Sequence, residues 1–173
     1  MMTHNNYVLT KEEAHEKLHR MALQIAEDIS EEETPLVLIG IRQSGMMIAR
    51  QISSFLKLYV KANIQLLSAM LDKHSPSDVI LSEEMNLTGK NIILIDDVSN
   101  SGRTLMYALK PLLNYHPKRV QILVLVERMH KQFPIKPDYV GLSVATTLED
   151  YIQVVTEDAE IKGAFIKSQM SEV

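Results

Sequence analysis

The sequence predicts an α/β fold, with a mainly parallel central sheet flanked by helices, on two observations. Short, almost wholly apolar runs such as Leu36 to Ile41 and Val120 to Val126 recur along the chain. Such runs suit strands covered on both faces. Between them lie segments with apolar residues at helical spacing, and strands alternating with helices imply crossover units and parallel neighbours. At 173 residues, the chain is expected to form one domain, since two would each be small for an independent core.

The first helix starts at Thr10. Thr10 and Glu13 make a capping-box pattern, in which each side chain satisfies a free backbone amide. Ala14, Leu18, Met21, Ala22, Ile25 and Ile29 then define one buried face. Glu31 to Pro35 ends this helix, and Leu36 to Ile41 is the first central strand. A turn with Ser44 and Gly45 leads to a second helix, with Met47, Ile48, Ile52, Phe55 and Leu56 as apolar positions. Ile64 to Ala69 reads as another strand. Met70 to Gly89 is polar, holds Pro76 and has weak periodicity, which predicts a mobile loop. Asn91 to Asp96 is the strongest strand, and a helix follows from about Thr104 to Asn114. Val120 to Val126 is another buried strand. Pro134 and Pro137 mark an irregular connection, after which Tyr139 to Leu142 and Ile152 to Val155 are two short strands.

Composition narrows the function classes. There are no cysteines, which excludes disulfides and thiolate metal sites and suits a reducing cytoplasm. No stretch approaches the roughly 20 apolar residues that span a bilayer, and Met1 to Leu9 lacks a secretory pattern. The expectation is a cytoplasmic protein with no membrane partner. A net charge of -4 offers no general attraction to nucleic acid. His15 and His19 lie one helical turn apart, a spacing that can bind zinc, but no third ligand accompanies them.

The informative segment runs from Ile92 to Thr104. Four apolar residues, Ile92 to Ile95, bury the strand, and Asp96 and Asp97 then stand at its carboxyl end. In open α/β sheets, ligands bind at that edge. Adjacent carboxylates cannot both enter a core cheaply, so at least one should face the mouth and accept hydrogen bonds from vicinal hydroxyls. Ser99 to Thr104 is a hydroxyl-rich turn opening a helix: Gly102 permits close backbone approach, while Ser101 and Thr104 supply donors. Helix-start amides add to a phosphate cradle built without a charged side chain. The Gly-Lys-Ser/Thr of a Walker loop is missing, as is the three-glycine dinucleotide fingerprint.

These thirteen residues resemble the phosphoribosyl diphosphate (PRPP) motif of type I phosphoribosyltransferases: an apolar strand, two acids and a turn ending Thr/Ser-Gly-X-Thr. The resemblance implies that family's fold, with a core of about 34–142 and a small hood from the N-terminal segment and about 143–173. It implies that Asp96 and Asp97 hold ribose hydroxyls, and that Ser99, Asn100, Ser101, Gly102, Arg103 and Thr104 hold the 5-phosphate. Leu38 to Gly45 resembles the family's diphosphate loop, which assigns that role to Ile41, Arg42, Gln43, Ser44 and Gly45. Arg42 becomes the charged partner of the leaving diphosphate, and Asp96, Asp97 and Arg42 are the catalytic candidates.

Within the family, the helix Thr10 to Ile29, both loops and Glu127 to Gly141 are similar to the pyrimidine-operon attenuation regulators and uracil phosphoribosyltransferases. This likeness covers roughly Tyr7 to Val155. It implies a base pocket around Val126 to His130 and Tyr139 to Leu142, with Arg128, His130, Tyr139 and Val140 as candidates; for Tyr139 the alternative is a strand core position, and for His130 solvent exposure. The implied cofactor is Mg2+ carried with PRPP, with Asp96 and Asp97 the protein groups able to meet it. The implied partners are PRPP, a nucleobase or nucleotide, and further copies in a homodimer or homotetramer. RNA would need a basic surface, and Arg20, Lys57, Lys61, Arg119, Lys131 and Lys136 are scattered in sequence.

Two departures shape the expected function. Relatives acting on 6-oxopurines carry an aspartate where Asn100 stands, and a neutral amide cannot act as that general base. The family's aromatic-arginine-aspartate-aspartate loop is replaced by Ser68 to Pro76, and no arginine occurs between Arg50 and Arg103. Lys73 is a candidate donor to the diphosphate that lacks the guanidinium fork, the alternative being a solvated loop lysine. The expectation is therefore phosphoribosyl transfer to a pyrimidine such as uracil. The alternatives are a nucleotide- or PRPP-sensing regulator with little catalysis, and a purine enzyme.

Overall fold

The computed structural model describes residues 6–31, 33–72 and 78–168. Its first helix, α1 (Lys11–Ile29), is capped as the sequence predicts. The Glu13 amide donates to the Thr10 hydroxyl (3.2 Å), and the Thr10 amide donates to the Glu13 carboxylate (2.8 Å). The buried stripe Ala14, Leu18, Met21, Ala22, Ile25, Ala26 and Ile29 faces the sheet core. Each large side chain there contributes about 1.5–3 kcal/mol of burial.

The central sheet holds β2 (Leu36–Ile41), β3 (Ile64–Met70), β4 (Ile80–Leu81), β5 (Asn91–Ser99), β6 (Arg119–Arg128) and β7 (Tyr139–Val144), in the order β4-β3-β2-β5-β6-β7. Every pairing is parallel except the short β3–β4 contact. All of β2 and Asn91 to Asp96 of β5 are buried, as strands covered on both faces must be. Ile93 and Ile95 pack towards α1 and α2 (Arg42–Leu56). Ile92 and Leu94 pack towards α3 (Arg103–Ala108). A second, antiparallel sheet joins the two ends of the chain: β1 (Asn6–Thr10), β9 (Glu160–Ser168) and β8 (Asp150–Glu157), in the order β1-β9-β8.

Several boundaries differ from the sequence reading. Ser44 and Gly45 do not form a turn, because α2 begins directly at Arg42. Gly45 lets that first turn press on β5, where a Cβ would lie 2.5 Å from the Ile95 carbonyl oxygen. The helix expected over Thr104 to Asn114 stops at Ala108 and tightens into a 3-10 turn over Lys110–Asn114. Pro111 has no amide with which to continue an α-helical ladder. Within Met70 to Gly89, Ile80 and Leu81 extend the sheet as β4; Lys73 and Pro76 lie outside the described residues. Ile152 to Val155 belongs to a longer hairpin with β9, a strand whose buried run Gly163 to Phe165 breaks the alternation that would have marked it.

Candidate active site

A cavity of about 300 Å³ opens at the carboxyl edge of the central sheet, beside β8. Arg42, Asp97 to Leu105 and Tyr151 to Val154 line it. Strand alternation separates the two acids. Asp96 is 1% exposed and does not reach the cavity lining, whereas half-buried Asp97 does. The Asp97 amide donates to Asp96 Oδ1 (2.9 Å), and the Val98 amide donates to Asp97 Oδ1 (2.9 Å). Burial, and then the neighbouring Asp97 charge, hold the Asp96 carboxyl well above the usual carboxylate range, with Arg42 pulling the other way.

Arg42 sits where β2 turns directly into α2, and it adopts a left-handed backbone (φ 54°). Such strain, of order 1–3 kcal/mol, concentrates at ligand sites. Its Nε is buried without a hydrogen-bond partner, as is Ser99 Oγ, and both residues line the same cavity. Of the other predicted diphosphate-loop residues, Ile41 and Gly45 are buried, Gln43 is exposed and Ser44 is half-buried in α2. None of the four lines the cavity.

The turn after β5 keeps its shape through Gly102 (φ 84°) and a bond from the Arg103 amide to Ser101 Oγ (3.2 Å). It is braced from behind by the β6–β7 connection, where the Gln132 and Phe133 amides donate to the Ser101 carbonyl (3.0 and 3.1 Å). Ser101, Gly102, Arg103 and Thr104 all line the cavity. Arg103 is exposed, and its guanidinium lies 5.9 Å from the Tyr107 ring centre. Asn100 behaves otherwise than expected for a phosphate ligand. Its Nδ2 donates to the Ile152 carbonyl (3.1 Å), and its Oδ1 accepts from the Ile152 amide (3.0 Å).

The four residues expected to form a base pocket, Arg128, His130, Tyr139 and Val140, do not line this cavity. Tyr139 starts β7, in register with Leu123, and so lies at the far end of the sheet from the Ser99, Glu127 and Ser143 edge. Its phenol donates to Asp28 at the end of α1 (2.5 Å), and burial with the Asp28 contact keeps it protonated. Val140 packs in the core, and its carbonyl accepts from Arg20 (2.9 Å). Arg128 clamps the β7–β8 connection through Thr146 Oγ1 and the Thr147 carbonyl (both 2.7 Å). His130 is exposed and does not line the cavity. The strand that does face the cavity is β8, through Tyr151 to Val154. Ile152 to Val155 was legible as a strand, but no local signal marked Tyr151 or Gln153 as facing a site.

His15 and His19 form a ring cluster. His15 meets Phe55 edge-on, and His19 Nε2 lies 2.9 Å from the Tyr59 hydroxyl. Among the described residues, no group of three His, Cys, Asp or Glu side chains is placed to hold a metal ion, and no helix is long and apolar enough to cross a membrane.

Comparison with known proteins places this geometry in context. The phosphoribosyl transferase domain model matches residues 7–160. Bifunctional protein PyrR of Actinobacillus pleuropneumoniae serotype 5b is 32% identical over 160 residues, covering 87% of this chain and 89% of that protein. The protein of the same name from Elusimicrobium minutum is 35% identical over 153 residues, covering 83% and 85%. Among solved structures, the hypoxanthine phosphoribosyltransferase of Trypanosoma cruzi superposes with a TM-score of 0.76 at 17% identity, covering 94% of this chain and 96% of that one. A hypoxanthine-guanine phosphoribosyltransferase of Bacillus anthracis gives 0.67 at 23% identity, covering 85% of each chain. At these identities the structural likeness speaks for the fold.

Proposed function

The chain belongs to the phosphoribosyl transferase domain family, and from that premise we propose that its cavity transfers a 5-phosphoribosyl group between PRPP and a pyrimidine nucleobase such as uracil. The observation that carries this reading is the pair of buried, unpartnered atoms Arg42 Nε and Ser99 Oγ on the wall shared with Asp97. Both can donate, and a buried donor left without a partner costs about 1–3 kcal/mol. A ligand rich in acceptor oxygens, as phosphate and diphosphate are, removes that cost.

The roles follow from placement. The Ser101 to Thr104 turn anchors the 5-phosphate. Asp97 accepts from the ribose hydroxyls, and buried Asp96 holds the Asp97 amide in place. Arg42 faces the departing diphosphate and offsets its charge as C1 gains oxocarbenium character. Catalysis is then mostly positioning and electrostatics. The donor set fits Mg2+, which keeps several waters and takes one or two carboxylates plus substrate phosphates. Asp97 would meet it, and when bound it would neutralise charge on the diphosphate.

A pyrimidine is favoured over a purine because Asn100 is a neutral amide with both polar ends committed to Ile152. Incubation of the chain with labelled PRPP and uracil, hypoxanthine, guanine or adenine is expected to label uridine monophosphate preferentially; no product with any base overturns the reading. The relatives share a name that declares two functions, which favours a second reading: a nucleotide- or PRPP-sensing regulator using the same cavity, with RNA as its candidate partner. Two of the candidate basic residues are already engaged, Arg20 by the Val140 and Gly141 carbonyls and Lys131 by Glu127. Tight PRPP binding without turnover, together with salt-sensitive RNA binding, would support that reading.

A further inference from the structure

The turn that would hold the 5-phosphate and the strand that faces it belong to different sheets, and Asn100 joins them. The two bonds between its carboxamide and the Ile152 peptide, 3.1 and 3.0 Å, reproduce the reciprocal pairing of a β-ladder. The carboxamide therefore acts as a one-residue strand against β8, which lies at the end of its sheet order. The contact is anchored beneath, because Ile152 and Val154 share a core with Val98 and Val126. Both polar ends of the side chain are occupied, so it cannot turn into the cavity without breaking the pair.

We propose that Asn100 is a positioning residue that fixes β8 over the phosphate turn and so sets the space left for the base between Asp97 and β8. Base selection then acts through a side chain that need not touch the base. An aspartate at this position would not substitute, since it would present a carboxylate oxygen to the Ile152 carbonyl and add charge beside Asp97. The base-binding half of the proposal rests on the phosphoribosyl reading of the cavity; the tie between turn and strand does not.

The test uses the full chain and the Asn100→Ala and Asn100→Asp variants. Amide exchange at Ile152, followed by NMR, should quicken about tenfold in Asn100→Ala, as loss of two ordinary hydrogen bonds implies. It should quicken less in Asn100→Asp, whose carboxylate still accepts from the Ile152 amide and loses only the bond to its carbonyl. Exchange at Ile93 and Leu125 should stay unchanged, which shows that the core is intact. The KM for uracil should rise about tenfold, while the KM for PRPP stays within about twofold. Unchanged Ile152 exchange overturns the proposal. So does faster exchange with an unaltered uracil KM, or a parallel rise in both KM values. Absence of turnover in the parent chain overturns the phosphoribosyl reading instead, and the exchange measurement alone then decides whether Asn100 holds β8.

Discussion

Asp96 and Asp97 are neighbours with opposite environments, and each predicts its own behaviour. Burial raises the Asp96 carboxyl above its ordinary value of 3.8. A carboxyl whose folded value lies above its unfolded one binds more protons in the folded state. It therefore lowers stability as pH climbs from about 3.8 towards the folded value, and has no effect below both. Asp96→Asn keeps the acceptor for the Asp97 amide and removes that cost. Thermal unfolding should show a higher midpoint for Asp96→Asn at pH 7 and no difference near pH 3. Asp97→Asn should leave stability nearly unchanged and weaken PRPP binding about 10- to 100-fold, the worth of a hydrogen bond to a charged group. Arg42 carries left-handed strain and a buried unpartnered nitrogen. Arg42→Gly suits that backbone but removes the charge that offsets buried Asp96, so it should leave stability within about 1 kcal/mol of the parent in denaturant titration while abolishing diphosphate affinity.

The contact of α2 with β5 shows how closely the elements fit around the cavity. In Gly45→Ala, the new Cβ meets the Ile95 carbonyl at 2.5 Å, which forces the first turn of α2 and Arg42 away from the sheet. A loss of about 1–3 kcal/mol in stability, with weaker PRPP binding, is the expected result in unfolding and calorimetric measurements. Elements governed by local pattern were legible in the sequence: the Thr10 cap, the α1 stripe, and the doubly covered strands β2 and β5. So was the Ser101 to Thr104 turn, because its residues are contiguous. What escaped depends on distant partners. Asn100 stands out in the sequence as a neutral amide, but nothing local shows that its partner is Ile152, 52 residues away. Tyr139 looks like a pocket residue by position, yet its phenol is held by Asp28, 111 residues earlier. The helix expected to run to about Asn114 passed over Pro111, and no local pattern announced the 3-10 turn that replaces its second half.

The two sheets divide the labour of the molecule. The central sheet brings Arg42 from β2–α2 and Asp97 to Thr104 from β5–α3 to one edge, and the terminal sheet supplies β8 as the facing wall. Three stretches distant in sequence thus enclose one cavity that leaves buried donors without partners on its wall. The family match, residues 7–160, takes in the whole central sheet and β8 and stops where β9 begins. Calorimetric titration of PRPP with Mg2+ into the parent chain and into Asp97→Asn tests this arrangement most directly. Saturable binding to the parent, weakened at least about tenfold in Asp97→Asn, is the predicted result. Equal affinity in the two proteins, or no binding to the parent, would contradict a phosphoribosyl site in this cavity.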